Sequence, residues 1–152
     1  MIGAILFPIV LLLQTVIGFT QSPYAGELAC PLDSCAYITQ GFTENHHADD
    51  FAMPIGSPIY AAADGVIYRA GINCSTNPCA NAVTMLHDDG WLATNYWHLD
   101  EVYVHAGDRV SQGDVIGTVG MTGITTGPHL HFSVQVYRVF VNPLDYLDRG
   151  LV

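Results

Sequence analysis

The sequence predicts a small all-β domain, and three observations predict it. Apolar residues gather in short runs rich in β-branched and aromatic types. Turn signals built on Gly, Pro, Asn and Asp separate those runs. No 3.6-residue periodicity is sustained inside the domain, so long helices are not expected. The chain has 152 residues, half of them hydrophobic, with 15 Gly and 8 Pro. That length suits one domain with a modest core.

The candidate strands follow in order. Ala36 to Thr39 is the first short run, and Ile59 to Ala61 the second. Asp64-Gly65 marks a turn into Gly65 to Arg69. Ala82 to His87 and Leu92 to His98 flank Asp89-Gly90, a hairpin signal. Ala106-Gly107-Asp108 and Gln112-Gly113-Asp114 precede Val115 to Val119. Thr126-Gly127-Pro128 precedes Leu130 to Tyr137. Asn142 to Leu147 offers one helical turn to close the domain. The glycines from Gly107 to Gly123 punctuate turns and lack the strand-to-helix context of a dinucleotide-binding loop.

Met1 to Thr20 is nearly all apolar, interrupted by Pro8 and Gln14. It is close to the span of about 17–25 residues that crosses a bilayer. Residues 1–20 are therefore expected to be a hydrophobic signal peptide or an N-terminal anchor, and the protein to be exported. Residues 21–34 carry Ser, Pro and Gly without periodicity and are expected to be a linker. Residues 35–152 then form the folded domain. The four cysteines fall into two close pairs, Cys30/Cys35 and Cys74/Cys79, each bracketing a turn-like segment. Export favours disulfides, so local pairing is expected, with a four-cysteine zinc site as the alternative.

Formal net charge is −10, and the chain has no Lys; Arg69, Arg109, Arg138 and Arg149 are its basic residues. A nucleic-acid partner is not expected, because phosphate binding needs a basic surface. A cationic substrate or wall polymer is compatible with this balance. The absence of Lys also removes a carrier domain that bears lipoyl or biotinyl groups on lysine.

Two clusters carry chemistry. His46 and Asp50 stand in His46-His47-Ala48-Asp49-Asp50-Phe51, and His129-Leu130-His131 follows some eighty residues later. Imidazole nitrogen and carboxylate oxygen are ordinary zinc ligands, and three protein ligands plus an open position describe a hydrolytic zinc. Residues i and i+2 share one face of a strand, so His129 and His131 look the same way. Pro54 and Gly56 argue against a helix continuing past Asp50.

These motifs stand within a longer pattern. His46 to Asp50 begins Phe51-Ala52-Met53-Pro54-Ile55-Gly56-Ser57-Pro58-Ile59, and Ala62-Ala63-Asp64-Gly65-Val66-Ile67 comes after it. Asn81 to Gly90 leads to Tyr96-Trp97-His98-Leu99. Gly107-Asp108-Arg109-Val110-Ser111-Gln112-Gly113, Ile116-Gly117-Thr118-Val119-Gly120 and Thr126-Gly127-Pro128-His129-Leu130-His131-Phe132 complete it. In joint order and spacing, over about two-thirds of the chain, the sequence resembles the lysostaphin-type, LytM-like zinc endopeptidases that hydrolyse peptidoglycan.

The resemblance implies a duplicated-hybrid-motif architecture, a small two-sheet β-sandwich or barrel-like domain with short loops. It implies one zinc per chain held by His46, Asp50 and His131, and catalytic roles for His98 and His129. A neutral histidine beside the attacking water takes its proton; this is assigned to His129, with His98 contacting the developing oxyanion or the water. The implied activity is zinc-dependent cleavage of peptide stems or cross-bridges by a monomer outside the cytoplasm, with membrane attachment through residues 1–20 left open. The alternative is a catalytically silent, zinc-binding regulatory or signalling protein of the same fold. Ala48 departs from the family, which usually has Gly there. His87 is expected to be structural, His47 and His105 exposed, and Asp49 a solvated carboxylate.

Overall fold

The structure is a computed structural model and describes residues 28–87 and 90–148. The expected signal peptide or anchor at residues 1–20 lies outside the described residues.

Ten strands form among the described residues: β1 (Ile38–Gln40), β2 (Asp49–Ala52), β3 (Pro58–Tyr60), β4 (Gly65–Asn73), β5 (Ala80–His87), β6 (Leu92–Val102), β7 (Arg109–Val110), β8 (Val115–Val119), β9 (His129–Val136) and β10 (Val139–Val141). A short 3-10 helix, Pro143–Asp145, supplies the expected closing turn. Asn142 caps it, its side chain accepting from the Leu144 N–H. The fold is all-β, as the turn-punctuated runs predict.

Among the described residues the strands pair antiparallel throughout. The main sheet runs β1-β2-β9-β6-β5-β4-β7, with β10 also on β9. The expected two sheets are one continuous hydrogen-bonded network. Strand β6 lies between β5 and β9 over most of its length, then pairs β8 near its end through Leu99↔Val119 and Val102↔Gly117. Strand β8 also pairs β3. The β3–β8 ribbon brings Ile59, Ile116 and Val119 onto the core beneath the main sheet, against Phe51, Tyr96, Leu130 and Phe132, all 0% exposed.

Alternation assigns the two sheet faces. In β9, Leu130, Phe132 and Val134 are buried in the core, so His129, His131 and Ser133 face outward. In β2, Phe51 is in the core and Asp50 faces outward. The outer face also carries a cross-strand polar row. Thr84 donates to Asn95 (2.9 Å), and Asn95 donates to Ser133 (3.2 Å).

Two expectations need correction, and one observation bears on the linker. Strands β2, β7 and β10 did not stand out in the sequence, because each is only 2 to 4 residues long and too short to show periodicity. The described half of the expected linker, residues 28–34, packs on the domain. Leu28 and Leu32 are 0% and 4% exposed, and Leu28 bridges Leu147. Its N–H donates to the Tyr146 carbonyl at 3.0 Å. Finally, Asp49 is fully buried, not solvated. The close cysteines pair locally: Cys30–Cys35 and Cys74–Cys79 are both disulfides.

Candidate metal centre

Strands β2 and β9 build the centre. Their register sets Asp50 opposite His131 and Ala52 opposite His129, so the three polar side chains share one outward face. His46 reaches the same place from the loop before β2, a loop closed by reciprocal Thr43–His46 backbone bonds of 2.8 and 3.2 Å.

One ligand atom each from His46, Asp50 and His131 lies within 4.8 Å of the others. His131 Nδ1 is 2.8 Å from Asp50 Oδ1, and His46 Nε2 is 3.2 Å from that oxygen and 3.3 Å from His131 Nδ1. His46 Nδ1 faces the Gly41 carbonyl at 3.0 Å. A carbonyl only accepts, so Nδ1 carries the proton and neutral His46 presents a lone pair at Nε2. That lone pair faces a carboxylate oxygen, which also only accepts. Two acceptors aimed at each other at 3.2 Å call for a positive charge between them. A divalent cation bound by two imidazoles and one carboxylate answers that need, and the donor set fits zinc.

Two more histidines flank the three. His129 Nε2 is 3.7 Å from Asp50 Oδ2. Its Nδ1 donates to the Gly127 carbonyl at 2.8 Å. His98 Nδ1 donates to the Thr122 carbonyl at 2.7 Å. Both rings therefore keep Nε2 unprotonated while neutral. The His98 ring centroid is 4.8 Å from that of His129 and 5.6 Å from that of His131. Strict alternation would send His98 inward, because Tyr96 is a core residue and lies two positions earlier. A bulge prevents this. Between the pairs Ala82↔Trp97 and Asn81↔Leu99, His98 is the extra residue, with φ of 69°. Bulges re-aim side chains in this way beside functional sites.

The protonation states follow from surroundings. Burial pushes the Asp50 carboxyl up, but its hydrogen bond with His131 and the charges of His131, His129 and His46 outweigh burial and hold it below the ordinary value. Burial pushes His98 below 6.5, only partly opposed by its bond to the Thr122 carbonyl. His98 is thus neutral at pH 7.

The other singled-out residues fall elsewhere. His87 is buried, donating through Nδ1 to the Asp64 carbonyl (2.7 Å) while Nε2 lies 2.8 Å from Thr94 Oγ1, a structural histidine as expected. His47 and His105 are exposed. Tyr96 is fully buried under the sheet, its hydroxyl bonded to Ala62 N–H and Thr94, and burial pushes its pKa up to about 12. Ala48 is buried without a positive φ, so its methyl group causes no backbone strain. The sequence did not reveal the carbonyls of Gly41, Thr122 and Gly127 that orient His46, His98 and His129. Backbone groups leave no residue-type signal.

Comparison with known proteins agrees with this geometry. The chain is 42% identical over 88 residues to the peptidoglycan DD-endopeptidase ShyC of Vibrio cholerae, covering 58% of this chain and 19% of that protein. It is 41% identical over 77 residues to a glycyl-glycine endopeptidase of Staphylococcus capitis, covering 51% of this chain and 21% of that protein. The chain spans only 19% to 24% of the length of its first curated relatives. Among solved structures, a zinc-containing peptidase from Vibrio cholerae superposes with a TM-score of 0.68 at 33% identity, over 79% of this chain and 40% of that one. Lysostaphin from Staphylococcus simulans superposes with a TM-score of 0.68 at 29% identity, over 80% of this chain and 53% of that one. Residues 44–143 match Peptidase family M23, a segment that contains all five site residues, and the chain belongs to that family.

Proposed function

We propose that this chain is a zinc-dependent endopeptidase that hydrolyses peptide stems or cross-bridges of peptidoglycan. The observation that carries the reading is the convergence of His46 Nε2, Asp50 Oδ1 and His131 Nδ1 within 4.8 Å, beside two histidines with unprotonated Nε2 atoms. His46, Asp50 and His131 would hold the metal. A bound zinc supplies Lewis acidity toward a scissile carbonyl and lowers the pKa of water toward neutrality.

The chain's own residues do the proton work. Water oxygen attacks the carbonyl carbon as His129 Nε2 takes its proton, and the same nitrogen returns the proton to the leaving amine when the C–N bond breaks. The Gly127 carbonyl holds the His129 tautomer that makes this direction of transfer available. His98, neutral with Nε2 unprotonated, accepts a hydrogen bond from the attacking water and so orients it toward the carbonyl carbon.

The relatives, a peptidoglycan DD-endopeptidase and a glycyl-glycine endopeptidase, support the substrate class. The two disulfides support an extracytoplasmic location. We also infer a monomer as the working unit. The test is digestion of peptidoglycans with defined stems and bridges, with products identified by mass spectrometry and zinc measured in the same preparation. New amine termini within stems or bridges are expected. Zinc-loaded protein that releases none would turn the reading toward a silent regulatory protein.

A further inference from the structure

We infer that Asp49 is a positioning residue for the metal centre, acting on His46 through the Gly41–Phe42 peptide group; this deepens the zinc-peptidase reading and rests on it. The two halves of one peptide unit are clamped from opposite sides. Its N–H, on Phe42, donates to Asp49 Oδ1 at 2.9 Å. Its carbonyl, on Gly41, accepts from His46 Nδ1 at 3.0 Å. The unit is planar and rigid, so fixing the N–H fixes the direction of the carbonyl.

Asp49 connects that peptide to the sheet. The loop from Gly41 to His46 closes on itself through the Thr43–His46 bonds, which tie it to nothing outside. Asp49 belongs to β2, pairs Phe132 across the sheet and is 0% exposed. A buried carboxylate carries a desolvation cost, and here backbone N–H groups on two sides offset it, that of Phe42 in the loop and that of Leu144 in the closing turn. The consequence falls on His46. Its Nδ1–H is held toward Gly41, so its Nε2 lone pair is aimed at Asp50 and His131. Partners that fix the second nitrogen of a ligating histidine set its tautomer and ring orientation, and losing them typically costs about 10- to 100-fold in metal affinity. Here the partner is a backbone carbonyl, and Asp49 is the side chain that holds it.

The test combines tautomer and affinity. Nitrogen-15 NMR of metal-free wild type should show His46 as the Nδ1–H tautomer with the Phe42 amide proton protected from exchange. Asp49→Leu, which fills the site without an acceptor, should raise the Nε2–H fraction of His46. It should weaken zinc binding in a chelator competition by about 10- to 100-fold. Asp49→Ala tests the same loss with the opposite packing defect. Asp49→Asn keeps an acceptor for the Phe42 N–H and should hold both readouts within about threefold of wild type, well inside that range. A wild-type His46 in the Nε2–H form overturns the inference, whatever the variants do. So does a folded Asp49→Leu or Asp49→Ala with wild-type tautomer and zinc affinity. Wild type that binds no zinc would sink the zinc-peptidase reading instead, and the tautomer comparison would still judge Asp49.

Discussion

A single dihedral angle decides where His98 points. At φ of 69° it occupies the left-handed region, which most non-Gly residues avoid and Asn tolerates better. His98→Asn should therefore keep the bulge while removing the imidazole. We expect His98→Asn and His129→Ala each to lower peptidoglycan hydrolysis by at least about 10²-fold, the low end for a positioned proton-transfer group. Zinc content should stay near one per chain in both. Asp50→Ala and His131→Ala should instead lose the metal, since each removes one of three donors. Zinc stoichiometry beside turbidity clearing separates the two classes; loss of zinc in His98→Asn would move His98 into the ligand set. The depressed pKa of His98 adds a pH effect. In the metal-free protein the unfolded chain takes up this proton first as pH falls. Its contribution to stability is full above pH 6.5 and is lost as pH drops from there through the folded pKa. A histidine NMR titration with a His98 midpoint above 6.5 would contradict this.

At the scale of elements, the close approach of β8 to β6 depends on missing side chains. A Cβ on Gly117 would lie 2.4 Å from the Glu101 carbonyl oxygen, and one on Gly120 would lie 2.4 Å from the Asp100 nitrogen. Neither backbone atom can swing aside. Gly117→Ala and Gly120→Ala should each cost about 1–3 kcal/mol or more through overpacking, read as a fall in thermal midpoint. An unchanged midpoint in both would mean that β6 and β8 separate easily there. The elements also show what a sequence conceals. The eight-residue runs of β5 and β9 show their alternation, and β8 announces itself through β-branched residues between turns. Strand β2 carries Asp50, yet its four residues, Asp49 to Ala52, show no alternating pattern, because Asp49 is buried beside Phe51. The histidines were legible because ligand chemistry restricts residue type. The bulge at His98 was not, since a register shift is a property of two strands together and Trp97-His98-Leu99 looks the same with or without it.

For the whole molecule, the open question is where the structural domain begins. Composition suggested a linker as far as Ser34. Yet Leu28, Leu32 and the Cys30–Cys35 disulfide belong to or pack against the core that holds Tyr146 and Leu147. Backbone bonds tie the same segment to two distant places: Ala29 N–H donates to the Ala62 carbonyl at 2.8 Å, and Tyr60 N–H donates to the Pro31 carbonyl at 2.9 Å. This segment therefore joins the closing turn of the chain to the β3 region, beneath the sheet whose outer face carries the histidines. If it is a structural part of the domain, Leu28→Ala should cost about 2–5 kcal/mol, the range for emptying a packed leucine site. A tether would give a change within about 0.5 kcal/mol, as surface substitutions do. Denaturant unfolding of the full chain distinguishes these outcomes, and a Leu28→Ala midpoint equal to wild type would restore the linker. The metal centre lies on the opposite sheet face, so zinc affinity of the folded variant should remain at the wild-type level. If zinc affinity falls together with stability, the two faces are coupled through β2, whose Phe51 packs in the core and whose Asp50 faces the metal centre.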